Sequence, residues 1–439
     1  MSTSTDLMYN ADSRYLHVMY KIYFPAVSAL EVTRENYLMS STGLDELYKA
    51  SNSPYGDITS NEITITLYND SGMFNPSNTD GQYYGLIKNG VRIEAFVRPD
   101  EVDEWDKLGT YFVTEWYTSS DGMSAYITAN DKLHSVINGS VPSMPVYRKV
   151  PVVDFLNDYF GYFNLTVTVD EYLEDVIIPY VYTSEHTDNK AFLTDLMKGI
   201  NADCFCDHDG NVRILSKVSK RDLRATLTDN DQIISIMIKQ STTTSYDSST
   251  VTYNKCQESA EQTLVEITEL PLEPGVNSTG KLTLSKHPVL CIKSLKTVGS
   301  SSAKITSFKA TAKDFVGSVQ STDVVSVDFS VKGTLLEKVA MTLGESGDAP
   351  LEIKSEFIQE EDRARTIKNY ADAYISTHTP TLELTIRGNP KLQLGDKVLV
   401  SSSKYKIEYT GIIFKASYEY VGSLSAHLTL IDASALEEV

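Results

Sequence analysis

The sequence has 439 residues, 41% of them hydrophobic, and a formal net charge of −20. The length exceeds what one hydrophobic core usually supports, so we expect roughly two to four compact units. The acidic excess disfavours sequence-specific binding to nucleic acids and binding to acidic membrane surfaces, because both depend on basic residues. No basic segment followed by an apolar one marks a secretory signal, and no apolar run is long enough for membrane insertion.

The first segment, residues 1–145, predicts a β-barrel or sandwich. Ile63, Ile65 and Leu67 alternate with polar residues, which is the pattern of a strand with one buried face. Further runs of this kind are separated by turn-forming residues. They lie at residues 91–97, 111–117 and 125–129. Short alternating runs punctuated by Gly, Asn, Asp and Pro are typical of antiparallel β units.

Residues 146–220 predict a small α+β unit. Pro151 suits the first turn of a helix that continues through Val152 to Phe160, and we expect this helix to stop at Gly161. A second helix is predicted at residues 189–199 from its apolar face. The turn at residues 208–210, between two alternating runs, predicts a β-hairpin.

The rest of the chain predicts a third, β-rich unit at residues 221–345 and a C-terminal unit at residues 346–439. The C-terminal unit begins with a long helix at residues 359–376, blocked beyond its end by Pro380, and continues as a second β-barrel. We find no repeat of 20–50 residues, and the sequences of the two terminal β units show no kinship. The predicted fold class is mainly β with a small α+β insert: two β-barrel or sandwich units plus accessory domains.

The sequence predicts no catalytic, cofactor-binding or metal-binding residue. It has no phosphate-binding loop, dinucleotide fingerprint or nucleophile elbow. Cys204, Cys206 and His208 alternate along one strand face but lack paired zinc-ligand spacing, which favours two half-buried strand cysteines. Residues 207–211 lack the final glutamate of a calcium loop, which favours a turn. The acidic group at residues 170–175 is expected to be a chance cluster among 59 acidic residues.

Tyrosine is abundant, with 27 residues against 14 Phe and 2 Trp. Tyrosine-rich β proteins occur among carbohydrate binders and among oligomeric proteins, since the ring combines apolar area with a polar hydroxyl. Composition alone leaves both classes open. A hydrolase is the third class, for which the sequence offers no catalytic constellation.

Several segments occur in an order that points to one kind of protein. They are ITITLYNDSGMFNPSN at residues 63–78, KNGVRIEA at 88–95, LGTYFVTEW at 108–116, CFCDHDG at 204–210, GNPKLQLGDKVLV at 388–400 and GSLSAHLTL at 422–430. Together they resemble the tail-tip and baseplate-hub proteins of tailed bacteriophages, especially those that infect Gram-positive bacteria. The resemblance touches most of the chain and is thin between residues 225 and 345.

This resemblance implies a structural, non-enzymatic protein of the virion tail, made in the bacterial host cytoplasm. Such hubs are usually homotrimers whose first and last β units alternate in a pseudo-sixfold ring, between a sixfold tube and a threefold tip. The implied partners are the tail tube or distal tail protein, the tape measure protein, and a central spike, fibre or lysin. No cofactor is implied.

Two further expectations follow from this reading. Part of the acidic excess should line the lumen of the ring, where it would repel DNA and let it slide during ejection. Because the chain ends at Val439, directly after the last recognisable strand, we expect the spike, fibre or lysin to be a separate polypeptide. A receptor- or carbohydrate-binding tail protein is the alternative.

Overall fold

The computed structural model describes Tyr9 and residues 15–49, 53–229, 232–239, 246–284, 286–376 and 381–433. Within these residues the chain forms 29 strands, four α-helices and one short 3-10 helix. The protein is therefore mainly β with a small α+β insert, which confirms the predicted fold class. No helix in the described ranges is long and apolar enough to span a membrane.

The first nine strands come from residues 16–130. The predicted alternation produces β6, in which Ile63, Ile65 and Leu67 are buried and the intervening polar side chains face outward. The strands are β1 (Leu16–Tyr23), β2 (Leu30–Thr33), β3 (Leu38–Glu46), β4 (Tyr48–Lys49), β5 (Asp57–Ile58), β6 (Glu62–Tyr68), β7 (Arg92–Pro99), β8 (Asp106–Thr118) and β9 (Ser124–Asn130).

An α+β insert follows. Its elements are α1 (Lys132–Ile137), β10 (Tyr147–Pro151), α2 (Val152–Tyr162), β11 (Val167–Val169), the 3-10 helix (Glu171–Leu173), β12 (Ile177–Val181), α3 (Asn189–Ile200), β13 (Ala202–Cys206) and β14 (Val212–Ser216). The predicted stop of α2 at Gly161 is wrong, because the chain leaves the helix only at Phe163, whose N–H bonds to the carbonyls of Phe160 and Gly161. Helix α3 is capped by Asp188, whose carboxylate accepts the N–H of Ala191.

Residues 223–354 are almost entirely β. They form β15 (Leu223–Thr228), β16 (Ile233–Lys239), β17 (Ser248–Glu258), β18 (Gln262–Leu272), β19 (Gly275–Ser278), β20 (Leu282–Thr283), β21 (Val289–Val298), β22 (Ala303–Ala310), β23 (Asp314–Ser321), β24 (Val325–Leu343) and β25 (Pro350–Lys354). The 19-residue β24 pairs with β17, β18 and β21, and β23 pairs with β19, β20 and β22. These strands thus build two small sheets beside the main one.

The last segment contains α4 (Glu361–Ser376), β26 (Thr381–Arg387), β27 (Lys397–Ser402), β28 (Ile407–Tyr420) and β29 (Leu424–Asp432). The predicted helix is confirmed, with Ile367, Tyr370 and Ala371 buried in one cluster with residues of β17 and β25. It begins two residues later than predicted, at Glu361. Pro380, expected to block its continuation, lies outside the described residues.

Thirteen strands form one large sheet, which draws on both ends of the described chain. Its path runs β16, β26, β29, β28, β3, β6, β9, β8, β7, β1 and β2, with β27 and β15 attached beside β28. One cluster of buried apolar side chains underlies strands of both ends. By pairing, β15 and β16 join the last strands of the chain. The predicted division into units at residues 145, 220 and 345 stays a prediction.

Candidate assembly interface

The large sheet contains the same strand order twice. Starting at β3, the neighbours are β6, β9, β8 and β7; starting at β16, they are β26, β29, β28 and β27. Every pair within the two series is antiparallel. The sheet therefore holds one five-stranded motif in two copies, which we name the N repeat (β3, β6–β9) and the C repeat (β16, β26–β29).

Both repeats carry β-bulges at the same two places. In the long strand, the register against the neighbouring strand shifts at Thr114 of β8 and at Phe414 of β28. In the first strand it shifts at Met39 of β3 and at Ile234 of β16. A bulge bends a strand and increases its twist. Shared bulges therefore give the two repeats the same local curvature.

A matched pair of glycines extends the repeat into a turn. Gly90 precedes β7 and Gly395 precedes β27, and both have φ of 82°. The N–H of Gly90 donates to the carbonyl of Val113 at 2.7 Å, and that of Gly395 donates to the carbonyl of Ile413 at 2.9 Å. A positive φ is inexpensive for glycine alone, so the same backbone conformation enters the same strand in each repeat.

The two repeats meet edge to edge, where residues 415–420 of β28 pair with residues 41–46 of β3. We call this pairing the seam. Within it Tyr418 stands opposite Gly43, and the Tyr418 hydroxyl donates to the carbonyl of Leu392 at 2.8 Å. Burial raises the pKa of Tyr418 above its ordinary value, so the phenol stays neutral and acts as a donor.

Polar side chains add further contacts at the seam. Across the seam, Lys415 Nζ lies 3.0 Å from Glu46 Oε1. Beside it, the Tyr20 hydroxyl of β1 donates to Ser41 Oγ of β3 at 2.6 Å. Burial raises the pKa of Tyr20 to about 12. A partly exposed ion pair contributes less than about 1 kcal/mol. The seam is therefore held mainly by backbone pairing and by the apolar core beneath it.

The first strands of the two repeats differ in their surroundings. Strand β3 is paired on both sides, whereas β16, among the described residues, pairs with β26 alone. On β16, Ile234, Met237 and Ile238 are 54%, 56% and 55% exposed. A strand edge with free backbone groups and apolar side chains is a template for another strand.

The long strands of the two repeats, β8 and β28, also differ in how many neighbours they have. The second half of β28 makes the seam, while Glu115–Thr118 of β8 pair with β9 on one side and with no described strand on the other. Glu115 and Tyr117 are exposed there. Among the described residues, two strand edges thus correspond to the strands that the seam uses: the free edge of β16 is the counterpart of β3, and that of the end of β8 is the counterpart of the second half of β28. We call these two the open edges.

The outward face of the sheet is polar and acidic across the seam. Directly opposite residues on five successive strands form one row: Glu419, Thr42, Thr64, Thr128 and Glu115. The two glutamates at the ends of the row are exposed. The row passes from the C repeat into the N repeat, so both repeats present a continuous surface on this side.

The metal-like pattern of the sequence belongs to a buried strand. Cys204 and Cys206 are 1% and 2% exposed, which makes them fully buried rather than half-buried as predicted. Burial raises the pKa of both thiols. His208 Nε2 lies 3.9 Å from Asp45 Oδ2. In the described part of the chain, no group of three or more His, Cys, Asp or Glu is placed to hold a metal ion.

The other polar candidates have local structural roles. The Asp207 carboxylate accepts the N–H of Asn211 at 2.9 Å, and Gly210 has φ of 87°, which makes the predicted turn. In the acidic group, Asp170 caps the 3-10 helix by accepting the N–H of Tyr172 at 3.0 Å. The expectation that the chain has no catalytic or cofactor-binding residue stays a prediction.

Sequence reasoning did not find the residues of the seam or of the open edges. Their alternation is the same as that of any half-buried strand. The available signal was the shared Gly-x-basic triplet before an alternating run, at Gly90–Arg92 and Gly395–Lys397. Its meaning depends on the matching φ angles, which the letters do not show.

Comparison with known proteins locates this fold. No protein-family model matches the sequence, and no curated protein matches it. Among solved structures, the chain is similar to the 43 kDa tail protein of prophage MuSo2 from Shewanella oneidensis, with 12% identity, coverage of 96% of this chain and 99% of that one, and a TM-score of 0.54. It is also similar to a tail protein from Neisseria meningitidis MC58, with 10% identity, coverage of 96% and 98%, and a TM-score of 0.54. Over almost its whole length, this chain has the fold of two tail proteins.

Proposed function

We propose that this chain is a structural, non-enzymatic component of a bacteriophage tail: a baseplate-hub or tail-tip protein that forms a trimeric, pseudo-sixfold ring. The observation that carries the proposal is the repeated five-stranded motif, joined edge to edge by the seam. The fold shared with two tail proteins supports the same assignment.

The repeat supplies the geometry that a symmetry adaptor needs. Three copies of a chain with two equivalent β units place six similar units around one axis, while every other feature occurs three times. One side of such a ring matches a sixfold tube, and the other side matches a threefold spike or fibre. The partners we propose are the tail tube or distal tail protein, the tape measure protein, and the spike, fibre or lysin.

The outward face supports a role in passing DNA. Glu62, Glu115 and Glu419 are exposed on this face, and the net charge of the chain is −20. A lumen lined by this face repels the phosphate backbone, which disfavours adhesion and lets the duplex slide. We place this face toward the ring axis.

Light scattering tests the proposed assembly. We expect the purified chain, alone or after addition of its tail-tube protein, to have a mass of three times 48.8 kDa or to form a ring only on the tube. Negative-stain images of the assembled species should show six similar densities around a channel. A monomer of 48.8 kDa that ignores the tube protein contradicts the hub, and glycan binding then becomes the next test.

A further inference from the structure

The seam shows how the long strand of one repeat pairs with the first strand of the other within one chain. The open edges belong to the counterparts of these two strands, β8 and β16. We propose that copies of this chain join head to tail by antiparallel pairing of β16 of one copy with the end of β8 of the next, in the register of the seam. This inference rests on the proposed ring and names the contact that closes it.

The register follows from strand pairing inside each repeat. Val113 of β8 and Ile413 of β28 occupy equivalent positions, because each pairs with the next strand of its repeat directly before the shared bulge. Counting on from the bulge, Thr118 takes the place of Tyr418 and Ser119 that of Glu419.

The first strands correspond in the same way. Leu38 of β3 and Ile233 of β16 stand opposite equivalent core residues, Leu67 and Ile386. Counting on past the second shared bulge, Met237 takes the place of Thr42 and Ile238 that of Gly43.

Transferring the seam to these positions gives two specific pairs between copies. Because Tyr418 stands opposite Gly43 and Glu419 opposite Thr42, Thr118 should stand opposite Ile238 of the next copy. By the same transfer, Ser119 should stand opposite Met237. Alternation then places the first pair on the core face of the sheet and the second on the outward face.

In both contacts a large side chain on one strand faces a small one on the other, but the strand that supplies the large side chain differs. In the seam the long strand supplies the large residues, Tyr418 and Glu419, and the first strand supplies Gly43 and Thr42. In the proposed contact the long strand supplies the small residues, Thr118 and Ser119, and β16 supplies the large ones. Each pair thus keeps one large partner and one small one, so that neither overfills the space between the strands.

Burial also fits this contact. Ile238 stands opposite Leu382 of β26, which is 1% exposed, yet Ile238 itself is 55% exposed. The counterpart of Ile238 in the seam is Gly43, and a Cβ added to Gly43 would lie 3.9 Å from the Cβ of Tyr418. A side chain from β8 of a second copy would cover Ile238 as Tyr418 covers Gly43. The exposed apolar edge is therefore explained by a second copy of this chain.

The contact is heterologous, since different surfaces of the two copies meet. Each copy has one β16 edge and one β8 edge, so pairing continues from copy to copy until a ring closes. Closure pairs these two open edges in every copy, which removes the aggregation hazard that the apolar edge of β16 would otherwise present.

Disulfide cross-linking of the full-length chain tests the register. The double variants Thr118→Cys/Ile238→Cys and Ser119→Cys/Met237→Cys place two thiols on the same face of the sheet. The mixed variant Thr118→Cys/Met237→Cys places them on opposite faces, where their Cβ vectors cannot form a disulfide. Under mild oxidation across a protein concentration series, non-reducing gels should show covalent dimers and trimers for both in-register variants. The mixed variant should match the parent protein, whose own cysteines set the background.

A charge variant tests the edge independently of disulfide geometry. Ile238→Lys places an ammonium at the proposed contact and should raise the concentration needed for assembly by about tenfold or more, because burying an unpaired charge is costly. Val276→Lys is the matched control, since Val276 is 71% exposed on the separate sheet of β19 and β23. It should assemble like the parent.

The outcomes separate the pairing from the ring. If rings form but neither in-register variant cross-links, the proposed strand pairing is wrong. The same holds if the mixed variant cross-links as strongly as they do. In both cases the hub proposal is unaffected. Rings that tolerate Ile238→Lys also overturn the pairing. A chain that stays monomeric under all conditions, with and without tube protein, overturns both.

Discussion

Asp131 is a buried carboxyl at a junction of the fold. It caps helix α1 through the N–H of His134 and also accepts the N–H of Asn61 at 2.8 Å. Desolvation raises its pKa to about 7, against an ordinary value of 3.8, although these hydrogen bonds favour the charged form. The native state therefore holds a proton here at pH values at which the unfolded chain has lost it.

This difference predicts the direction of a pH dependence. Between about pH 4 and pH 7 the native state binds more protons than the unfolded state, so the Asp131 contribution to stability falls as pH rises, by up to about 4 kcal/mol. Thermal unfolding from pH 4 to pH 8 should show this loss in the parent relative to Asp131→Asn, which retains an N-cap acceptor. Asp170→Asn, which alters the cap of the 3-10 helix, is the control. Equal slopes for parent and Asp131→Asn would contradict the assignment.

At the scale of elements, the repeat offers a matched mutational experiment on two turns. Gly90→Ala and Gly395→Ala both force alanine to φ of 82°, which costs about 1–2 kcal/mol. A Cβ at Gly90 meets nothing within 4 Å, whereas one at Gly395 lies 2.6 Å from Leu215 Cδ1. We expect the second variant to be less stable by roughly a further 1 kcal/mol, because Leu215 must shift.

Comparison of the two melting temperatures isolates this crowding from the backbone strain. The two substitutions share the residue change, the φ angle and the hydrogen bond to the long strand. Equal destabilisation would mean that Leu215 moves aside without cost. A variant at Gly90 that is the more damaging of the two would contradict equivalence of the turns.

The elements show which parts of the fold a sequence can predict. Alternation identified β6, and helical spacing identified α2 and α4, because each pattern reports a local period against one buried face. The seam joins residues 41–46 to residues 415–420, and nothing local distinguishes this partner from another half-buried strand. The repeat escaped notice because its equivalent positions share backbone pairing rather than residue type, as with Gly43 and Ile238.

At the scale of the whole molecule, charge should govern assembly. The proposed ring gathers copies that each carry a net charge of −20, and their repulsion reaches about 30 Å at 0.01 M salt but about 8 Å at 0.15 M. We expect assembly to strengthen as salt rises across this range, measured as mass by light scattering. Glu115→Gln, at the proposed contact, should weaken this dependence. Glu273→Gln, on an exposed residue next to β19, should leave it unchanged.

The span of the seam also has a consequence for biogenesis. The strand that completes β3 is translated only after more than 360 further residues, which takes tens of seconds at about 5–20 residues per second. Through that interval a nascent chain carries β3 with one bare edge. On a polysome, β28 released from one ribosome can reach β3 of the chain behind it and take the place of that chain's own β28. Cells that make this protein in quantity therefore need the intramolecular strand to arrive first, and slow translation of the last segment should increase swapped, open-ended aggregates.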